Sequence, residues 1–394
     1  MTNPSRLRGV AAGLAVFLLT GCASQGKPAT ATSPRPSAAS PSSSPSSSPA
    51  PVALKAPGPL SFTRTALAQG LIAPWAIDFA KDGTAWLTER PGRVRVIRGG
   101  KLLPEPALTL PVFNQSGCEG GLLGIAVKEP YVYLDYSYRG SATNIDRVSR
   151  FTIDGDRLVS EQVLLDGIPG GTCYHFGGRL KFGPDGWLYV TTGEGFVASR
   201  AADPNSASGK ILRVHDDGSG EEIYAWGFRN PQGLAFDADG RLYVSSNGPS
   251  GEFGLCCHDE VDQVQQGAFY GWPAWAAGVR TSYPQGSLPA RSGPMVESGT
   301  DVWAPSGIGF YSPRADEQAT LFVAELRGQA LRRLVIDPDH PGVVTRQEIV
   351  LSGAGRLRDA VAGPGGCLYV LTSNRDSRGS PLAGDDQVVM LCPG

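Results

Sequence analysis

Four histidines occur in the 394 residues, and one of them, His175, stands in a loop directly before Phe176-Gly177-Gly178. An imidazole with an ordinary pKa near ~6.5 can take up a proton close to neutrality. His175 is therefore the first candidate for general-base chemistry. Arginines occupy comparable loops: Arg229 in Phe228-Arg229-Asn230-Pro231-Gln232-Gly233, and Arg356 and Arg358 in Arg356-Leu357-Arg358-Asp359. A guanidinium fork matches a carboxylate through two parallel hydrogen bonds. Arginines brought to one place point to an anionic ligand. Cys118-Glu119-Gly120-Gly121 and Asn247-Gly248-Pro249 are further unusual loop segments. No G-x-G-x-x-G fingerprint follows a strand pattern, which disfavours a nicotinamide coenzyme. The cysteine spacings do not resemble a zinc site, and Cys256-Cys257-His258 lacks the spacing that attaches haem.

These loops are far apart in the chain, so a repeated scaffold must carry them to one place. One pattern recurs: an apolar strand, a turn containing Gly, then an aromatic-aliphatic strand ending in Thr or Ser. It is clearest at Trp75–Thr88, Gly178–Thr191 and Gly233–Ser245, each turned by Asp-Gly. Looser copies begin near Leu122, Gly307 and Asp359, which makes about six, spaced by roughly 45 to 75 residues. Each copy reads as a β-hairpin. Alternating runs such as Arg93–Ile97, Lys210–Val214 and Ala330–Val335 add outer strands. A four-stranded sheet cannot bury both faces alone, so the sheets must stack radially. The expected fold is all-β, a six-bladed β-propeller, with a sandwich or jelly roll as the weaker alternative. In a propeller the loops named above converge on the mouth of the central channel.

The abundance of Gly (52) and Pro (32), with 18% charged residues, suits short strands and tight turns. A net charge of −2 and the lack of a basic stripe give no reason to expect nucleic acid. Arg6 and Arg8 precede an apolar run from about Val10 to Leu19, ending in Leu19-Thr20-Gly21-Cys22. That arrangement resembles a lipoprotein signal, cut before a cysteine that receives the lipid. The expected organisation is a signal peptide over 1–21, a lipid-anchored, disordered Pro/Ser-rich linker over 22–57, and the propeller over 58–394. The protein is then exported and tethered to the outer face of the cell membrane through the lipid on Cys22 alone. The six remaining cysteines form an even set suited to an oxidising compartment. Cys367 with Cys392 is the best pairing, on strands that read as neighbours. Cys118 with Cys173 and the adjacent Cys256 with Cys257 complete the set.

Taken together, Glu119–Ile125, His175 with the Gly-Gly-Arg-Leu beyond it, Arg229–Phe236, Asp259-Glu260, Tyr270-Gly-Trp-Pro273 and Arg356-x-Arg358-Asp359 resemble the glucose/sorbosone dehydrogenase family. The motifs occur in family order and cover the chain from about Leu67 to its C-terminus. The resemblance implies an oxidoreductase that uses pyrroloquinoline quinone (PQQ) and Ca²⁺ to oxidise aldoses or related hydroxyl compounds. An external acceptor then takes the electrons. It further implies His175 as the general base and Arg229 as a catalytic and cofactor-binding residue. Asn230, Arg327, Arg356 and Arg358 become cofactor contacts. Glu119 and Trp303 become substrate-facing. The carbonyls of Gly248 and Pro249 are implied as ligands of an active-site Ca²⁺, and Glu260 and Tyr270 as ligands of a second calcium.

This chain departs from the family pattern at Tyr174, Phe176, Glu194 and Phe228, and in the Cys-bearing loop from Gly251 to His258. On the sequence alone these changes predict a more apolar mouth. They favour a second hypothesis, a catalytically degenerate extracellular propeller acting as a binding module, as hedgehog-interacting protein uses a related domain. A calcium-dependent hydrolase is a third, disfavoured because arginines rather than carboxylates gather at the loops.

Overall fold

In the computed structural model, which describes residues 54–394, the Asp-Gly turns do what their chemistry requires. Asp82 Oδ1 accepts the Thr84 N–H at 2.8 Å, Asp185 Oδ1 that of Trp187 at 3.2 Å, and Asp237 Oδ1 that of Asp239 at 3.0 Å. The glycines that follow, Gly83, Gly186 and Gly240, hold φ between +81° and +84°, which a side chain would resist. These three hairpins and three with other turns supply the inner and second strands of six antiparallel sheets. The inner strands are Pro74–Phe79, Leu122–Lys128, Gly177–Phe182, Asn230–Phe236, Pro305–Tyr311 and Leu357–Gly363, which define blades 1 to 6. Each inner strand touches those of the two neighbouring blades, and that of blade 6 touches that of blade 1. The ring is closed: the fold is a six-bladed β-propeller.

Burial follows position in the blade. The second strands Ala85–Glu89, Leu188–Thr192, Thr320–Glu325 and Cys367–Thr372 are buried at every residue, because adjacent blades cover both faces. The fourth strand of blade 5, Val344–Ser352, is largely open to solvent.

Blade 6 is completed from the other end of the chain. Phe62–Ala68 pairs antiparallel with Val388–Pro393, with Thr63 opposite Cys392. Ahead of it the Lys55 N–H donates to Asp316 O at 2.8 Å, so packing against blade 5 includes the last residues of the stretch read as linker. The expected signal segment, Cys22 and the linker up to residue 53 lie outside the described residues. Cys367 and Cys392 are joined on neighbouring strands of this closing blade. Replacing both by serine should lower unfolding stability by about 3 kcal/mol, as expected for a bridge across 25 residues, read from urea unfolding.

One irregularity recurs in all six blades. Pairing between inner and second strand slips by a residue near the start of each inner strand: at Pro74/Ile77, Leu122/Ile125, Gly177/Leu180, Pro231/Gly233, Pro305/Ile308 and Leu357/Asp359. Such bulges re-aim side chains. Here they bring Trp75, Arg179, Gln232 and Arg358 together across the channel. Arg179 Nε donates to Gln232 O and Arg358 donates to Gln232 Oε1, both at 2.8 Å, while both guanidiniums lie over the Trp75 ring. Arg179 also pairs with the buried Asp359 at 2.8 Å. This girdle is the floor of the site.

Candidate active site

The residues that line the mouth lie at the first residues of inner strands, in the loops ahead of them, or at and beyond the ends of second strands. Two adjoining chambers of about 510 and 420 Å³ share Glu119, Asn247, Ala304, Arg327 and Arg378, and form one continuous cavity.

The first chamber is built on arginine. Arg356 donates to Asp376 Oδ2 through Nε at 2.9 Å and through its terminal nitrogen at 2.8 Å. Arg358 approaches the same oxygen at 3.5 Å, and Arg90 donates to the Asp376 carbonyl at 3.1 Å. Three buried guanidiniums thus face one buried carboxylate, and the Nε atoms of Arg90 and Arg358 have no partner among the described residues. Arg327, exposed in the turn after the second strand of blade 5, has no side-chain partner among the described residues either. Burial pushes the Arg358 guanidinium down to about 9, and Arg356 and Arg90 add to this against the pull of Asp376. Burial alone would raise Asp376, but Arg358 and Arg356 together outweigh it and hold the carboxyl below its usual range. A chamber with surplus positive charge and unspent donors suits a polycarboxylate.

The second chamber centres on His175. The Cys118–Cys173 disulfide ties the loop of Glu119 to the loop of His175. Glu119 Oε2 accepts the His175 backbone N–H at 2.9 Å, and Oε1 accepts from Arg378 at 2.8 Å. Burial opposes ionisation of Glu119, yet His175, Arg378 and Arg229 together keep its carboxyl below the usual range. His175 has φ of +61°, a left-handed conformation that turns its ring into the cavity. A Cβ on Gly193 would stand 2.1 Å from the His175 carbonyl, so only glycine fits beside it. Nδ1 lies 3.0 Å from Glu194 Oε1, and Glu194 Oε2 accepts the Trp272 indole N–H at 2.6 Å. The carboxylate is thereby fixed to receive a proton-bearing Nδ1. Nε2 has no partner among the described residues, and the ring lines the chamber.

Arg229 also faces this chamber. It pairs with Glu252 of the inserted loop, and its Nε is buried without a partner among the described residues. Asn230 Oδ1 accepts the Gly177 N–H at 3.1 Å. The Gly248 N–H is held by Asp259 Oδ1 at 2.9 Å, while the carbonyls of Gly248 and Pro249 accept no hydrogen bond among the described residues. Both residues line the chamber, as do Cys256 and Cys257, which are bridged to each other.

Two expectations need correction. Trp303 lines neither chamber: its ring is buried, and Arg332 stacks on it at 4.1 Å. The Asp259 carboxylate takes its backbone N–H instead. Phe176 and Phe228 do not make the mouth apolar. Phe176 packs with Phe113 in the core between blades, and Phe228 stacks on Tyr270 at 4.7 Å. The binding-module hypothesis loses the feature that favoured it. Glu260 and Tyr270, expected at a second calcium, line neither chamber, and the Tyr270 hydroxyl is engaged by the backbone of Gln263 and Gln265. Asp262, on the same strand as Glu260, has both buried carboxylate oxygens without a partner among the described residues. Arg90, Asp376 and Arg378 did not stand out in the sequence. All three lie in the stretches that follow second strands, as Gly248 and Pro249 do, and that location was the available signal.

Residues 71–382 match the Glucose / Sorbosone dehydrogenase family. The chain belongs to that family. It is 30% identical over 351 residues to the aldose sugar dehydrogenase YliI of Escherichia coli strain K12, across 80% of this chain and 91% of that protein. It is 29% identical over 265 residues to quinoprotein glucose dehydrogenase B of Acinetobacter calcoaceticus, across 54% of this chain and 52% of that one. Its fold superposes on the PQQ-bound aldose sugar dehydrogenase of Streptomyces coelicolor with a TM-score of 0.70 and 30% identity, covering 84% and 98% of the two chains.

Proposed function

We propose that this protein is a PQQ- and calcium-dependent aldose dehydrogenase in which His175 is the general base. The carrying observation is the His175–Glu194–Trp272 relay, which leaves Nε2 free in a chamber that opens onto the arginine cluster. Family membership and the PQQ-bound neighbour support the same reading.

The residues present fit the cofactor. Unspent guanidinium donors at Arg358, Arg327 and Arg229 offer partners to a flat tricarboxylate, with Arg356 and Asn230 beside them. The carbonyls of Gly248 and Pro249, which accept no hydrogen bond among the described residues, suit a hard cation in the His175 chamber. At Glu260 a second cation would use the orphaned carboxylate of Asp262 rather than the Tyr270 hydroxyl. When bound, PQQ supplies the two-electron acceptor for the hydrogen leaving the anomeric carbon.

The chain does the rest. Glu194 holds the imidazole with Nδ1 protonated, so Nε2 takes the proton of the sugar hydroxyl as the C–H bond breaks. Glu119 fixes the backbone of His175, and Arg229 brings positive charge next to the developing carbonyl oxygen. A cyclic aldose thereby becomes a lactone, and an external acceptor removes the electrons. The three disulfides accord with an exported protein, tethered through lipid on Cys22.

Loading the protein with Ca²⁺ and PQQ and following dye reduction over a panel of aldoses tests the proposal. Saturable turnover is the expected result. Tight PQQ uptake with no turnover on any aldose would return the propeller to a binding role.

A further inference from the structure

The mechanism leaves one exposed aromatic pair unused. Phe196 is 55% exposed and Tyr174 36%, and both line the chamber of His175. The Phe196 ring stands edge-on to His175 at 5.2 Å and to Tyr174 at 5.9 Å. Its backbone has φ of +61°, a conformation a bulky side chain adopts only under constraint. A phenylalanine that is both strained and wet contributes little to the core. Glycine or asparagine would sit there more easily. On the polar side of the chamber, Glu119 and Glu252 present carboxylates. An apolar plate next to carboxylate acceptors matches a molecule with one C–H face and a rim of hydroxyls.

We propose that Phe196, buttressed by Tyr174, is a specificity-determining residue: the plate on which the C–H face of a pyranose ring packs while its reacting hydroxyl meets His175. The inference rests on the aldose dehydrogenase reading and adds the residue that selects ring sugars. Arg378 lies over the Tyr174 ring at 5.2 Å and is anchored by Glu119, so the plate is braced from behind.

Phe196→Gly separates this role from a structural one, because the two predict opposite signs. Glycine relieves the left-handed strain, so the thermal midpoint of the PQQ- and Ca²⁺-loaded protein should stay level or rise. KM for the best aldose should rise at least tenfold (about tenfold or more, for a lost apolar contact surface) with kcat within about threefold. Phe196→Trp should restore KM, and Val197→Ser, at the exposed neighbour outside the chamber, should leave it unchanged. An unchanged KM in Phe196→Gly, with the parent turning over, overturns the plate alone. A fall in thermal midpoint with KM unmoved assigns Phe196 to structure and also overturns it. Loss of rate with a protein acceptor but not with a dye would assign the patch to acceptor docking instead. Absence of aldose turnover in the parent overturns the sugar reading, and the plate with it.

Discussion

His175→Ala in the loaded protein should reduce aldose turnover by about 10²–10⁴-fold, the range a positioned general base contributes. PQQ uptake should persist, because the arginines of the first chamber come from blades 1, 5 and 6 and the imidazole does not line it. The geometry also predicts the pattern of partial losses. Glu194→Gln keeps the shape but replaces an acceptor-only group with an amide that can offer N–H to Nδ1. The imidazole then gains a reason to carry its proton on Nε2, where it blocks abstraction. Glu194→Gln should therefore lower kcat with little change in KM. Trp272→Phe, which removes the donor that holds Glu194 in place while keeping an aromatic ring against Phe253 and Arg229, should have a smaller effect in the same direction. Turnover that survives His175→Ala would remove the imidazole from the chemistry, and the effect of Glu194→Gln would then need another origin.

The fold was legible because its signal is repeated. Inner hairpins with buried second strands recur six times, three of them turned by Asp-Gly, and each copy in the sequence lies on the inner hairpin of one blade. The loops that carry chemistry were legible for the same reason, since a repeat fixes which end of the hairpin they occupy. Other features had no repeated mark. Phe62–Ala68 reads as a mostly exposed strand, and its pairing partner lies at the far end of the chain. Nothing local announces that it closes the ring. Phe176 and Phe228 neighbour His175 and Arg229 in sequence, but successive side chains diverge: a left-handed residue at His175 sends its ring to the cavity and the next into the core. Trp303 was misread in the same way, one residue from Val302 and Ala304, which do line the cavity. Glu252 lies in an inserted loop, so only the three-dimensional structure reveals that it meets Arg229.

Asp376→Asn should destabilise the cofactor-free protein by about 3–5 kcal/mol, the usual effect of removing one partner from a buried ion pair. The side chain is 2% exposed, so solvent does little to screen what it leaves behind. Arg356 would lose both of its contacts to a charged oxygen, and Arg358 and Arg90 would lose the stronger of the two carboxylate charges that act on them, leaving Glu119. The pH dependence has a definite sign. Because Arg358 and Arg356 hold the Asp376 carboxyl below its ordinary value of 3.8, its contribution is complete above about pH 4. It fades as pH falls further toward the folded-state value. The parent should therefore lose stability below pH 4 more steeply than the variant, which no longer has this carboxylate to protonate. Bound PQQ should narrow the difference between parent and variant, since added carboxylates take over the stranded guanidiniums. Urea unfolding of both proteins, free and loaded, reads all three effects. A loss below about 1 kcal/mol in the free protein would mean the arginines are satisfied without Asp376. The surplus positive charge that calls for an anionic cofactor would then no longer be an argument for one.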